Sequence, residues 1–267
     1  MPFSSFSIAE ILLFFAVLVR MSVMVAIVPF LGDRTVPTPV KILFSLAVTF
    51  SLFPTLIHLD YIHVDEAARW GMTTSGIVGT TFMEVVAGLV LGFSARLIFE
   101  AISFGANLAG TFMGFSMANI YDPHMETQSQ VFAQLQMAIA MLLFIILDGH
   151  HFMIRAMVDS FRIAGIGHIN MGSALSDRLV AFTTEVIRFG VQVGAPVGIS
   201  IFAVNIVFGV LSKAMPQLNV LSMSFAVTIL IGLVATWISM PEFGSVVASL
   251  IDHMDIWMRQ AAKAMAA

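Results

Sequence analysis

Six ionisable side chains stand inside otherwise apolar stretches of the chain: Glu10, Arg20, Glu84, Arg96, Glu185 and Arg188. Charges in that setting are costly and face a bundle interior, an aqueous cavity or one another, so an ion or proton pathway is one chemistry they could support. Glu185 and Arg188 are three positions apart, close enough on a helix to pair locally. Glu84 and Arg96 lie near the two ends of one apolar run, where snorkelling or an intersubunit pair competes with a transport role, and structural pairing is the reading we favour. In "DGHHFMIR", Asp148 stands beside His150 and His151. Adjacent histidines on a helix point about 100° apart, and no second cluster completes a ligand set, so no metal is expected. The chain has no G-x-x-x-x-G-K-[ST], G-x-S-x-G or H-E-x-x-H pattern. Neither a P-loop nucleotide hydrolase nor an intramembrane hydrolase is therefore expected. We read the chain as not an enzyme and as needing no cofactor.

The elements that must hold these residues are set by composition. Of 267 residues, 59% are hydrophobic and only 10% charged, with a mean hydropathy of +0.98. A soluble domain carries about a quarter charged residues, so this is an integral membrane protein. Six runs approach the length of about 20 helical residues that a bilayer requires: Ile11 to Leu31, Val40 to Leu59, Gly76 to Phe99, Val131 to Leu147, Val186 to Leu211 and Leu221 to Met240. They lack the alternation of a membrane barrel, so an all-α fold is expected. The first run follows no basic segment and contains Arg20, so it reads as a retained helix. Without cysteine there is neither a disulfide framework nor a thiolate metal site, and a net charge of −4 gives no reason to expect nucleic acid. Lys and Arg are spread almost evenly over the connections, so the positive-inside rule does not decide orientation.

Proline and glycine make "VPFLGDRTVPTPVK" a turn between spans. A polar region from Asp148 to Arg178 carries a short helix around "HFMIRAMVDSF" and separates a four-helix front part from a terminal hairpin. The tail places Phe243, Val246, Val247, Leu250, Ile251, Met254, Trp257 and Met258 on one helical face. That face is expected to lie along an interface or against a partner.

Small residues recur four apart: Gly88 and Gly92; Gly190, Gly194 and Gly198; Ala106, Gly110, Gly114 and Ala118. Such ridges let helix backbones approach closely and suit assembly with many neighbours. Pro196 should kink its helix. Methionine is abundant, at 19 residues, and its flexible thioether fills irregular gaps. The segment "GANLAGTFMGFSMANIYDP" combines these features. Asn107 and Asn119 and the glycines argue against a lipid-facing helix. A packed core helix is one alternative. The other, which we favour, is a bent segment from Gly105 to Tyr121 inside a pore. There Phe112, Met113, Phe115 and Met117 would form a deformable hydrophobic constriction.

The turn "VPFLGDRTVP", the run "EVVAGLVLGFSARLIFEAISFGANLAGTFMGFSMANIYDP", the block "DGHHFMIRAMVDSF" and the late "LSKAMPQLNV" together resemble, in order and over nearly the whole chain, the FliR (SctT-like) family of flagellar and type III secretion export-gate proteins. The resemblance implies a subunit of a helical complex with FliP, FliQ and FlhB in the bacterial inner membrane, at the flagellar basal body. Through that complex, embedded in membrane lipid, unfolded flagellar proteins leave the cytoplasm. It implies a FliP-like part over residues 1–178 and a FliQ-like hairpin with an amphipathic C-terminal helix over 179–267. It also implies a plug-like loop within 105–121, where Asn107, Gly110, Phe112, Met113, Gly114, Phe115, Met117 and Tyr121 fall. Lys213, Pro216, Gln217 and Asn219 would form a hairpin tip at the cytoplasmic entrance, near the FlhB-like partner. The rival reading is a small-solute or ion transporter using Glu84, Arg96 and Glu185. Transporters commonly show paired repeats with broken helices, and none is visible in the sequence.

Overall fold

The computed structural model describes residues 7–29, 32, 36–115, 128–215, 217 and 219–267. Every regular element among them is a helix: α1 (Ile8–Ile27), α2 (Thr38–His58), α3 (Val64–Trp70), α4 (Thr74–Phe112), α5 (Gln128–Ile146), α6 (Gly149–Ile163), α7 (Ser173–Ala214), α8 (Val220–Ile238) and α9 (Met240–Ala266). Helices α1, α2, α4 and α7 are long and apolar enough to cross a membrane, and up to six spans result if the bent pairs α5–α6 and α8–α9 each count as one. The all-helical membrane fold expected from composition is the fold observed.

Local chemistry sets several helix ends. At the start of α1, the Ser7 hydroxyl accepts from the Glu10 amide at 3.2 Å and Glu10 accepts from the Ser7 amide at 2.8 Å. This capping box satisfies two orphan amides and gives Glu10 a structural task. Pro37 precedes α2, which begins with a proline in its first turn, where a missing N–H costs nothing. At the other end of α5, Asp148 takes a left-handed conformation with φ 57°.

Helix α4 differs from expectation. The apolar run ends at Phe99 in the sequence, and irregular backbone was expected from Gly105, yet the helix continues to Phe112. The reason is packing. A Cβ on Gly105 would lie 2.5 Å from the Gly190 carbonyl oxygen and 2.6 Å from Val193 Cβ, so this glycine gives α7 room to lie against α4. Irregular backbone begins only at Met113, and Gly114, at φ 90°, is in a conformation that suits glycine.

The chain forms two compact units, one of Met1–Leu97, Gly149–Thr183 and His253–Ala267, the other of Ile98–Asp148 and Thr184–Asp252. The first is cored by Leu13, Val17, Met21 and Met24 of α1, Leu91 of α4, and Met157 and Phe161 of α6. The apolar face of α9 is not left for a separate partner as expected: Met254, Trp257, Met258 and Met265 are buried in this first unit, with Trp257 stacked on Phe182 at 5.1 Å. Phe243, Val246, Val247, Leu250 and Ile251 are buried in the chain as well. The second unit is cored by Ala109, Met113, Phe132, Val197 and Ile201, with Phe115, Ile231 and Ala235 packed against them.

Candidate functional site

The residues expected to seal a passage fall at the end of α4, in the second unit. The glycine ridge of α7 makes the bed on which this end lies. A side chain at Gly194 would meet the Gly105 carbonyl oxygen at 3.0 Å, and one at Gly198 would meet the Phe112 ring at 2.8 Å. Gly190 is similarly closed off by Phe104 and the Ala101 carbonyl. The three glycines of α7 therefore have their close contact within the chain.

Asn107 is exposed, and its amide nitrogen donates to the Ser103 carbonyl at 2.8 Å. The Thr111 hydroxyl donates to the Asn107 carbonyl at 2.9 Å. Ser103, Asn107 and Thr111 thus form a polar stripe at helical spacing whose hydrogen bonds are met locally. Gly110 is buried in the same helix.

Met113 is fully buried. Its carbonyl, at a helix end where no intrahelical donor remains, accepts from the Thr228 hydroxyl of α8 at 3.2 Å, sharing that proton with the Phe225 carbonyl at 3.0 Å. Thr228 is 115 positions away in sequence. Gly232, one turn further along α8, receives the thioether: a Cβ there would lie 2.5 Å from Met113 Cγ. Phe115 stacks on Phe132 with ring centroids 6.3 Å apart. Phe112 remains 44% exposed. The arrangement is one anchored Met between two aromatic groups, one half-buried against the core and one presented outward. Met117 and Tyr121 lie outside the described residues.

A second buried site, in the first unit, was not read from the sequence as a pair. The Arg20 Nε donates to Glu84 Oε2 at 2.6 Å and its Nη2 to Oε1 at 3.0 Å, both side chains having no solvent exposure. The remaining Arg20 protons go to the Ser160 hydroxyl at 3.3 Å and to the carbonyls of Ala164 at 3.1 Å and Gly165 at 3.5 Å. Gly167, at φ 73°, turns its amide onto Glu84 Oε1 at 2.9 Å, and the guanidinium lies 4.2 Å from the Phe161 ring centroid. A bidentate pair with every guanidinium proton placed is the condition under which charges can be buried. Arg96, at the other end of the same apolar run, is exposed. Helical rise puts it about 18 Å along the same helix, too far to reach Glu84. Gly88 and Gly92 lie beside this pair: a Cβ on Gly88 would meet the Arg20 carbonyl at 2.7 Å, and one on Gly92 would meet Met24 Cα at 3.2 Å.

The family described as bacterial export proteins, family 1, matches residues 11–254. The chain belongs to that family. It is 26% identical over 242 residues to the flagellar biosynthetic protein FliR of Escherichia coli K12, covering 91% of this chain and 88% of that one. It is 27% identical over 212 residues to FliR of Bacillus subtilis, covering 78% of each. FliR of Aquifex aeolicus is 24% identical over 213 residues, 80% of this chain and 79% of the relative. The resemblance drawn from the ordered sequence blocks is therefore shown for this bacterial export protein.

Of the other residues singled out, Arg188, Lys213, Gln217 and Asn219 are exposed in this family member. Arg188 pairs with Glu185 at 3.1 Å, with the arginine side chain 72% exposed. Lys213, Gln217 and Asn219 are exposed around the α7–α8 connection. Pro216 lies outside the described residues.

Proposed function

We propose that the chain is a structural subunit of the flagellar protein export gate in the bacterial inner membrane. There it joins FliP-like, FliQ-like and FlhB-like subunits, with residues 1–178 as its FliP-like part and 179–267 as its FliQ-like part. Its task is to complete a closed assembly and, through residues 105–121, to seal the path for unfolded flagellar proteins until export begins. Family membership supports the export role, and the relatives' name supports the flagellar system.

The observation that carries the sealing role is the end of α4. Helical order stops at a buried Met113 held to α8 by one long-range hydrogen bond, with Phe112 exposed beside it. Apolar groups at a constriction exclude water without needing charge, and a root fixed by one neutral hydrogen bond can yield to a threaded chain. The rival transporter reading draws little support, because Glu84 is neutralised by Arg20 and Glu185 lies in a local surface pair.

Deleting Gly110 to Ser116, or replacing Phe112 and Phe115 with Ala, should leave the complex assembled and make cells leak ions or small solutes. Variants that assemble normally and stay as tight as wild type would replace the seal by an ordinary packed segment. Orientation is tested by single cysteines at Lys213, Gln217 and Asn219, which are easy to read in a chain that has none. Labelling from the cytoplasmic side is expected, and labelling only from the periplasm would refute it.

A further inference from the structure

The turn that leads from α5 into α6 carries Asp148, His150 and His151, three residues that the sealing role does not use. Adjacent histidines on an ideal helix point about 100° apart, which is why the sequence predicts no metal there. The structure brings them together. Their imidazole rings lie with centroids 4.2 Å apart and planes tilted by 38°. Asp148, at φ 57°, takes the left-handed conformation one step before α6 begins at Gly149. One ligand atom from each of the three side chains lies within 4.8 Å of the other two. All three residues stand on one continuous turn, so their mutual placement is a property of that turn alone.

The donor set selects the occupant. Two imidazole nitrogens and one carboxylate are the ligands of zinc and its transition-metal neighbours, whereas magnesium and calcium take oxygen alone. Zinc bonds of about 2.0–2.2 Å place tetrahedral ligands about 3.3–3.6 Å apart. Asp148 and His151 are exposed and His150 is half-buried, so rotation of surface side chains closes the remaining gap without disturbing the core. The carboxylate contributes the negative charge that a divalent ion requires, and the C-terminal end of α5 offsets the positive end of α6 at the same turn. Three protein ligands leave the fourth position to water, as in other open zinc sites.

We propose that Asp148, His150 and His151 bind one zinc ion, with water completing its tetrahedron. The ion fixes the turn between α5 and α6. It goes beyond the export role proposed above, which neither uses these residues nor requires a metal.

The test uses the full chain, purified in detergent through a tag free of histidine and stripped with EDTA. Titration with ZnCl2 should load one ion per chain, and CoCl2 in its place should give the visible absorption of a tetrahedral nitrogen–oxygen site. His151→Ala, at an exposed position, should weaken zinc binding by at least about tenfold, the lower end of what even outer-shell partners contribute. His150→Ala and His151→Ala together should abolish both signals. Asp148→Asn keeps the left-handed turn, which Asn tolerates, and should weaken binding about tenfold through loss of the charged ligand. His58→Ala, exposed elsewhere in the chain, should bind as wild type does. Zinc uptake by the wild-type chain no greater than that of the double variant would overturn the proposal and leave a surface cluster without a metal. So would one ion per chain retained after both histidines are removed.

Discussion

Helix α4 and the residue just beyond its end carry two buried stations that solve the same problem in opposite ways. At Glu84 the polar group is a full charge, met by a bidentate Arg20 and by the Gly167 amide. At Met113 it is a helix-end carbonyl, met by one hydroxyl from Thr228, with a flexible thioether lying over a glycine. The first arrangement has many mutually dependent bonds, and losing either partner leaves a buried charge alone. The second has one neutral bond and soft apolar contacts.

The contrast can be broken most strongly at the charged station. Glu84→Leu or Arg20→Met alone should destabilise the chain by about 3–5 kcal/mol, and the double change should recover much of that loss. Thermal midpoints in detergent and the amount of chain in membranes would show it. Equal losses in single and double variants would mean that the pair is not a closed unit. Next in size is Gly194→Leu, where the new side chain meets the Gly105 carbonyl and Leu108. Overpacking of this kind costs about 1–3 kcal/mol, and by separating α7 from α4 it should prevent recovery of the export complex on native gels.

Thr228→Val sharpens the other half of the comparison. It removes the hydroxyl while keeping the shape, for a cost of about 0.5–1.5 kcal/mol. The expected mark is local: faster hydrogen exchange at Gly114 and Phe115, with the Glu84 region unchanged. Uniform loss of protection across α4 would erase the distinction between the stations. The smallest effect belongs to Arg188→Gln. The exposed pair with Glu185 should be worth less than about 1 kcal/mol, and its variant should match wild type in both midpoint and assembly.

Much of the frame was legible because lipid and protein interiors impose the same apolar composition on helices. The runs Val40 to Leu59 and Val131 to Leu147 fall close to α2 and α5. The glycines at 190, 194 and 198 announced a close helix contact that the structure supplies. What they could not announce was its partner, since small-residue spacing describes one surface only. The same limit explains the end of α4. Gly105 favours a bend in isolation, yet here its missing side chain admits the α7 backbone, and the helix continues. The Arg20–Glu84 pair was hidden for a related reason: both charges were visible, but their meeting depends on helices 64 positions apart in sequence. The α9 tail showed a face to be covered without showing that the chain itself covers it.

That tail has a consequence for timing. The first unit joins Met1–Leu97 to His253–Ala267, and the Asn170 amide donates to the Met265 carbonyl at 2.7 Å. Roughly 155 residues separate Leu97 from His253, and at bacterial translation speeds they take on the order of 8–30 s to synthesise. Throughout that interval the unit lacks the Met254, Trp257, Met258 and Met265 side chains that fill its interior. Its first helices therefore wait in the membrane with an open seam, and a chain truncated before Trp257 should be cleared by membrane proteases while the full-length chain persists.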